Sequence, residues 1–265
     1  MMSSGRRALL VIGAGLIAQG FGVAALSADT QTDSSTVHSA RAQAPFDPVG
    51  YWVSLVTQNW RFRMIVPGRG EYADVPLNEK AKALADSYDA GQDEAAGKQC
   101  EAYGAPVIMR QPTRLHISWA SDNDLRVDTD NGEQTRVLHF GPPVATAAPE
   151  ASWQGYSVAR WIMHATSPLG APPAPGAPTY GSIQINTDHL LPGLLRKNGV
   201  PYSGETKVLE YWEVHTEQAT GDTWMTVTTD VQDPTYLRGS YSYNSVFEKE
   251  LDGSKWDPEP CSLRF

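Results

Sequence analysis

Apolar and polar residues alternate with a period of two along most of this chain. Successive side chains of a β-strand point to opposite faces, so the alternation predicts short strands with one buried face each. Turn-forming residues separate them, as the Asp-Asn-Asp run at 122–124 does. The pattern predicts a mainly β fold, either an antiparallel barrel of the lipocalin or calycin type or a β-sandwich. The predicted strands, of which the first two form a pair, are 51–56, 60–66, 115–119, 125–128, 135–140, 156–163, 182–185, 208–214, 224–231 and 241–247.

One segment between the predicted strands has helical character. Asn78 is a suitable N-cap for residues 79–88, which are helix formers throughout. A second short helix is predicted for residues 93–100. This short helical insert lies between the first and second strand pairs, where we expect it to cap one end of a barrel.

The first 28 residues have the order of a secretory signal peptide. Arg6 and Arg7 precede an apolar run over residues 8–25, and Ala25 or Ala28 would suit a signal peptidase. An uncleaved membrane anchor is the alternative, but the run contains four glycines and a glutamine, which favours cleavage. We therefore expect an extracytoplasmic protein, periplasmic or secreted.

The rest of the chain is predicted to be a tether followed by one domain. Residues 29–44 are polar and aperiodic, which indicates a disordered tether or leader that is also removed, with cleavage after Ala44 as a third possibility. Residues 45–265 are then a single β-rich domain. Its run at 167–178 holds five prolines and is predicted to be an extended surface loop.

The charge of the chain limits its partners. The sequence has 30 Asp and Glu against 21 Lys and Arg, a formal net charge of −9. Without the two arginines of the leader the charge becomes −11, from 19 basic and 30 acidic residues. An acidic surface argues against nucleic acid and anionic membrane as partners. We expect a small-molecule ligand and no stable membrane insertion after leader cleavage, and the oligomeric state is left open.

Cys100 and Cys261 are the two cysteines of the chain. In an oxidising compartment an isolated pair most often forms a disulfide, so we predict that they are bridged.

Motifs for cofactor and metal chemistry are absent from the sequence. The six histidines are scattered without metal-ligand spacing, and there is neither a phosphate loop nor a Rossmann glycine pattern. No metal and no cofactor is therefore expected. Residues 155–159 approximate a nucleophile elbow, but that motif requires a helix after the serine. Because the surrounding residues continue as a predicted strand, we interpret the match as a chance one.

Glu210 is the strongest candidate for a functional ionisable group. It shares a predicted strand face with Val208, Trp212 and Val214, so it is expected to point inward. Burial raises the pKa of an unpaired carboxyl, and such groups cluster at functional sites. The alternative is a structural ion pair or hydrogen bond, for which Arg160 is the candidate partner.

Five residues are predicted to contact a ligand. The loop at 196–203 carries two cations and would place a tyrosine and a serine at a cavity mouth, although a solvated loop is equally consistent with it. Aromatic side chains in or beside the strands are either core residues or the lining of an apolar cavity. The predicted ligand-binding residues are Arg160, Trp161, Tyr202, Trp212 and Tyr236.

Two resemblances follow from these residues. Gly50-Tyr51-Trp52 resembles the G-x-W start of lipocalins. A wider match resembles a group of exported bacterial β-rich proteins with no assigned activity, and it implies export and a β fold but no reaction. Members often carry a histidine at the position of Tyr202, which argues against an acid–base role there. The matching segments are 76–77, 88–89, Cys100, 106–109, 155–161, 199–203, Glu210 and 233–234.

The leading functional hypothesis is an exported protein that binds a small, partly apolar ligand in a β-barrel cavity. The first alternative is a cofactor-free isomerase, lyase or hydrolase in which Glu210 is the acid or base and Tyr202 or Arg160 orients the substrate. The second alternative is an envelope structural protein without a ligand.

Overall fold

Nine strands of this protein close into a barrel. The computed structural model describes residues 39–141, 149–164 and 180–264, so the predicted leader and the proline-rich loop lie outside the described residues. The sequence left open a barrel or a sandwich, and the closed ring of strands confirms the barrel. The described strands are β1 (Gly50–Leu55), β2 (Arg114–Trp119), β3 (Asp124–Thr129), β4 (Thr135–Phe140), β5 (Tyr156–His164), β6 (Tyr180–Asp188), β7 (Gly193–Arg196), β8 (Val200–Tyr202), β9 (Lys207–Thr216), β10 (Thr223–Gln232) and β11 (Tyr241–Glu250).

The strand order follows the chain around the barrel. It runs from β1 through β6 to β9, β10 and β11, and β11 pairs with β1 to close the ring. All neighbours are antiparallel except β4 and β5, which are parallel, with Leu138 opposite Ser157. β7 and β8 form a separate two-stranded hairpin outside the ring.

Three connections gather at one end of the barrel, which we call the capped end. They are residues 56–113 between β1 and β2, 189–206 between β6 and β9, and 233–240 between β10 and β11. They hold each other in place, because Leu77 bridges to Leu237 and the buried Asp233 accepts hydrogen bonds from the backbone and hydroxyl of Ser203. The predicted capping of a barrel end by the helical insert is therefore observed.

The first connection contains three short helices, α1 (Trp60–Met64), α2 (Glu79–Ser87) and α3 (Ala90–Ala95), and 3₁₀ turns at Gln99–Tyr103 and Ile108–Arg110. The predicted helix at 79–88 is confirmed, and the Asn78 side chain accepts from the Ala81 amide at 3.0 Å as its N-cap. The helix predicted at 93–100 is placed wrongly. α3 begins earlier because Asp89 caps it, and the chain then passes into a 3₁₀ turn.

The strand predicted at 60–66 is wrong, because this segment contains α1. The barrel neighbours of β1 are β2 and β11, which leaves no edge for another strand. Asn59 has a left-handed conformation with φ 52° and directs the chain into the helix. Residues 29–38 of the predicted tether lie outside the described residues, and its described end contacts the barrel. Ala40 is buried, its amide donates to the Asn123 side chain, and its carbonyl accepts from Trp161.

The Cys100–Cys261 disulfide is confirmed and joins the first 3₁₀ turn to the C-terminal segment. Such a bridge is typical of proteins outside the cytoplasm. Among the described residues, no helix combines the length and the apolar composition that crossing a bilayer requires.

A buried ion pair lies inside the barrel. Arg136 on β4 and Glu210 on β9 bond to each other with side chains that are 3% and 0% exposed. Arg136 also donates to Ser157 and Thr187, at 3.1 and 2.8 Å. The prediction that Glu210 points inward is confirmed. These bonds offset part of the desolvation of both charges and connect four strands of the ring, while Arg136 Nη1 and Glu210 Oε1 have no hydrogen-bond partner among the described residues.

Removing one member of this pair should cost far more than removing both. We expect Arg136→Met to lower the free energy of unfolding by about 3–5 kcal/mol, because it leaves the Glu210 carboxylate buried and unpaired. The double variant Arg136→Met, Glu210→Met should be close to the parent protein. Urea denaturation measures both. A loss below about 1 kcal/mol in the single variant would show that the pair is not isolated from water.

Candidate functional site

A cavity of about 220 Å³ lies at the capped end of the barrel. Its basic lining consists of Arg63, Arg110, Arg196 and Lys197. Its remaining walls are mostly apolar and include Phe62, Met64, Ile65, Val66, Val107 and Leu195. Four basic side chains thus converge on one small space in an otherwise acidic protein.

Two of the arginines donate hydrogen bonds to backbone carbonyl groups. Arg63 on α1 donates from Nε to the carbonyl oxygen of Arg110 at 2.9 Å and from Nη2 to Ser54 Oγ at 3.2 Å. Arg110, in the second 3₁₀ turn, donates from Nη1 to the carbonyl oxygen of Phe62 at 3.1 Å. Both guanidinium groups are therefore held in place without a carboxylate.

Arg196 ends β7 and reaches the cavity because of a tight turn. Gly199 in that turn has φ 87°, and a Cβ there would lie 2.2 Å from the Tyr88 Cβ, so the turn requires glycine. The Arg196 guanidinium lies 4.7 Å from the centre of the Phe62 ring, as in a cation–π contact. Its Nε, Nη1 and Nη2 make no well-formed hydrogen bond among the described residues, and the groups that favour its charged form are Tyr241 and the Asp74 carboxylate.

The three guanidinium groups are buried, and among the described residues none of them forms an ion pair with a carboxylate. Arg63, Arg110 and Arg196 are 8%, 7% and 4% exposed. Burial, followed by the charge of Arg110, lowers the pKa of Arg63 to about 10. Burial likewise lowers the pKa of Arg196. Within the described ranges, no ion pair joins any of the three to a carboxylate.

Lys197 extends the positive charge of the cavity. Its ammonium group donates to the Tyr103 hydroxyl at 2.9 Å and lies 4.7 Å from the centre of that ring. Burial lowers the pKa of Lys197 to about 8. Its charge can therefore be lost at a mildly alkaline pH.

This arrangement is suited to an anion. Buried cations are costly unless an opposite charge and hydrogen-bond acceptors compensate them. The free nitrogens of Arg196 and the Nη2 of Arg110 are donors without acceptors. Guanidinium groups match the paired oxygens of carboxylates, sulfonates and phosphate esters. An anion in the cavity would supply an opposite charge, and it would supply further acceptors once the side chains turn toward it, since these nitrogens have almost no accessible surface.

The predicted acid–base residue lies elsewhere. Glu210 is fully buried in the barrel and bonded to Arg136. The prediction that Arg160 is its partner is wrong. On β5 the side chains of Ser157 and Ala159 point inward, whereas that of Arg160 points outward. Arg160 instead donates to the Gln184 side chain.

The other predicted ligand-binding residues do not form one site. Trp212 is fully buried in the core, and Trp161 lies at the opposite end of the barrel, where it contacts Phe46. Tyr202 and Tyr236 do come together, along a groove of about 710 Å³ at the capped end. The groove does not include the arginine cluster. The disulfide residues are bridged, as predicted.

Sequence reasoning missed Arg63, Arg110 and Arg136. Arg63 was missed because residues 60–66 were predicted to be a strand, whereas they contain α1. No pattern around Arg110 distinguishes it from a surface arginine. Arg136 had a detectable signal, since it alternates with Leu138 and Phe140 on the buried face of β4. Arg196 and Lys197 are the two cations of the predicted loop, and in the structure they line the cavity themselves.

No protein-family model matches this sequence, and neither a curated protein nor a solved structure shows significant similarity to it. The resemblance to exported β-rich proteins therefore stays a prediction. In the part of the chain that the structure describes, no group of three His, Cys, Asp or Glu side chains is placed to hold a metal ion.

We expect Arg196 to lower the free energy of unfolding when the cavity holds no anion. We expect Arg196→Met to raise the free energy of unfolding by about 1 kcal/mol or more in a buffer of low ionic strength, because it removes a buried unpaired charge and keeps the volume. Arg126→Met is the matched control, since Arg126 is exposed and paired with Asp128. A clear loss of stability in Arg196→Met would contradict the unpaired state of this arginine.

Proposed function

We propose that this chain is an exported protein that binds a small, partly apolar organic anion at the capped end of its barrel. One observation carries the proposal. Three buried guanidinium groups that form no ion pair among the described residues, together with Lys197, line a single cavity with mostly apolar walls. The ligand would carry a carboxylate, sulfonate or phosphate group for the arginines and a short apolar part for the walls.

Export is supported by two features of the chain. The first 28 residues have the charge and hydrophobicity order of a signal peptide. The Cys100–Cys261 bridge fits an oxidising compartment. The periplasm and the extracellular medium are both consistent with these features.

The geometry favours binding over the enzymatic alternative. Glu210 has no exposed surface and its charge is neutralised by Arg136, so it is not placed to exchange a proton with a substrate. The ligand site that the structure supports is at the end of the barrel, and not around Glu210 and Trp161. A structural envelope role gives no reason to bury three unpaired arginines at the edge of a cavity.

Paired ligands of equal length test this proposal. Isothermal titration of the mature protein should detect binding of hexanoate but not of hexanol, because only the anion satisfies the guanidinium groups. Arg196→Met should weaken hexanoate binding by about tenfold or more, which corresponds to one charge-assisted hydrogen-bonded contact. The exposed Arg126→Met variant should bind as the parent does. Equal binding of hexanoate and hexanol, or of the parent and Arg196→Met, would contradict the proposal.

Lys197 should make binding depend on pH. Its pKa is about 8, so hexanoate affinity should fall as the pH rises through that value and the ammonium charge is lost. Stability without ligand should change in the opposite direction. A lysine in the unfolded chain has a pKa of about 10.4, so the unfolded state binds more protons between these values and folding becomes more favourable as the pH rises.

Lys197→Met removes the titrating group and provides the control for both effects. Titrations with hexanoate and urea denaturation from about pH 7 to about pH 9 measure them. The variant should show flat profiles over this range. A parent protein whose affinity is constant over it would show that Lys197 does not contribute to the site.

A further inference from the structure

Three large apolar side chains are exposed beside the arginine cavity. Trp60, Met64 and Ile65 are 62%, 50% and 44% exposed. Trp60 and Met64 are four residues apart on α1, so they share a face of the helix, and Ile65 follows directly. We call these three residues the apolar strip.

The apolar strip is continuous with the cavity. Met64 and Ile65 line the cavity and are also exposed to solvent, so they form its rim. Trp60 extends the strip away from the rim. Contiguous exposed apolar residues of this size mark a contact surface more often than isolated ones do.

The cavity itself is small. Its volume of about 220 Å³ is below the roughly 300–1,000 Å³ of sites that enclose a drug-sized ligand. An anionic head bonded to Arg110 and Arg196 would leave little room for a longer apolar part. Any such part would leave the cavity across Ile65 and Met64.

We propose that the ligand is a single-chain anionic amphiphile, with its head in the arginine cavity and its alkyl chain along the apolar strip. The inference rests on the proposed function, since it assumes an anion at the arginines, and it adds the class of ligand. The shared chemistry also occurs in anionic lipids of a bilayer. The negative charge of the chain, −9 overall, opposes approach to such a surface and favours the dispersed amphiphile.

Chain length is the first variable of the test. Titrations with hexanoate, octanoate, decanoate and dodecanoate below their micelle concentrations should show the dissociation constant falling by about two- to fourfold for each added methylene, because each one is removed from water on the strip. The variant Trp60→Ser, which changes the strip residue outside the cavity lining, should bind hexanoate like the parent but lose part of the gain with length. An affinity that does not increase beyond hexanoate would overturn the inference.

The position of the chain is tested by fluorescence quenching. Dodecanoate brominated at the terminal carbon should quench tryptophan emission more than dodecanoate brominated beside the carboxylate, because the chain end would lie near Trp60. In Trp60→Phe this excess should disappear. Equal quenching by the two isomers in the parent protein would place the chain elsewhere and contradict the proposal.

Matched controls separate this inference from the proposed function. The variant Met163→Ser, Leu251→Ser removes exposed apolar residues, 52% and 106% exposed, outside the cavity lining, and should keep the dependence on length. If hexanoate fails to bind at all, the proposed function fails. If hexanoate binds without a length effect, only the amphiphile fails.

Two further measurements test whether a membrane surface or a second copy of the chain occupies the strip instead. Phosphatidylglycerol vesicles should not retain the protein in cosedimentation. Sedimentation equilibrium should show no self-association that Trp60→Ser abolishes. Retention on vesicles without binding of dispersed dodecanoate, or self-association through the strip, would overturn the proposal.

Discussion

Pairing of β1 with both β2 and β11 closes the ring of strands, and this closure governs the rest of the structure. A closed ring has no free edge for a ligand or a further strand. Its interior is filled by side chains, so an inward charge must find a partner there. Arg136 and Glu210 meet this requirement across the barrel, and the guanidinium of Arg136 also donates to Ser157 and Thr187. Function is consequently expected at an end of the barrel rather than inside it.

At the capped end, unlike inside the barrel, the buried cations have no ion-pair partner among the described residues. Three long connections meet there, and the short helix α1 and the β7–β8 hairpin bring Arg63 and Arg196 beside Arg110. Backbone carbonyls hold two of these arginines, and the Phe62 ring contacts the third. The cations repel each other and lack carboxylate partners among the described residues. Such an arrangement costs stability, and the proposed anion would release that cost on binding, which is the stability–function relation expected of a binding site.

The sequence predicted the barrel better than the site because the two depend on different signals. Period-two alternation identifies strands such as 135–140 and 224–231, and Asn78 identifies α2 through its cap. The same alternation misassigned residues 60–66, where Trp-Arg-Phe-Arg imitates a strand but the closed ring excludes one. The sequence also predicted the wrong inward face for β5, the one that carries Arg160. Small residues such as Ala159 fill the narrow interior instead, while Tyr156 stacks on His139 outside. Arg110 reaches the cavity lining only through tertiary contacts, which no local pattern records.

Diffraction from a crystal of the mature protein soaked in iodide tests the central claim most directly, because anomalous scattering locates the anion without any assumption about the natural ligand. The account predicts an iodide peak in the cavity, within contact distance of the Arg110 and Arg196 guanidinium groups, and its absence in Arg196→Met crystals treated in the same way. Iodide found only at the protein surface, with the cavity filled by water, would contradict it.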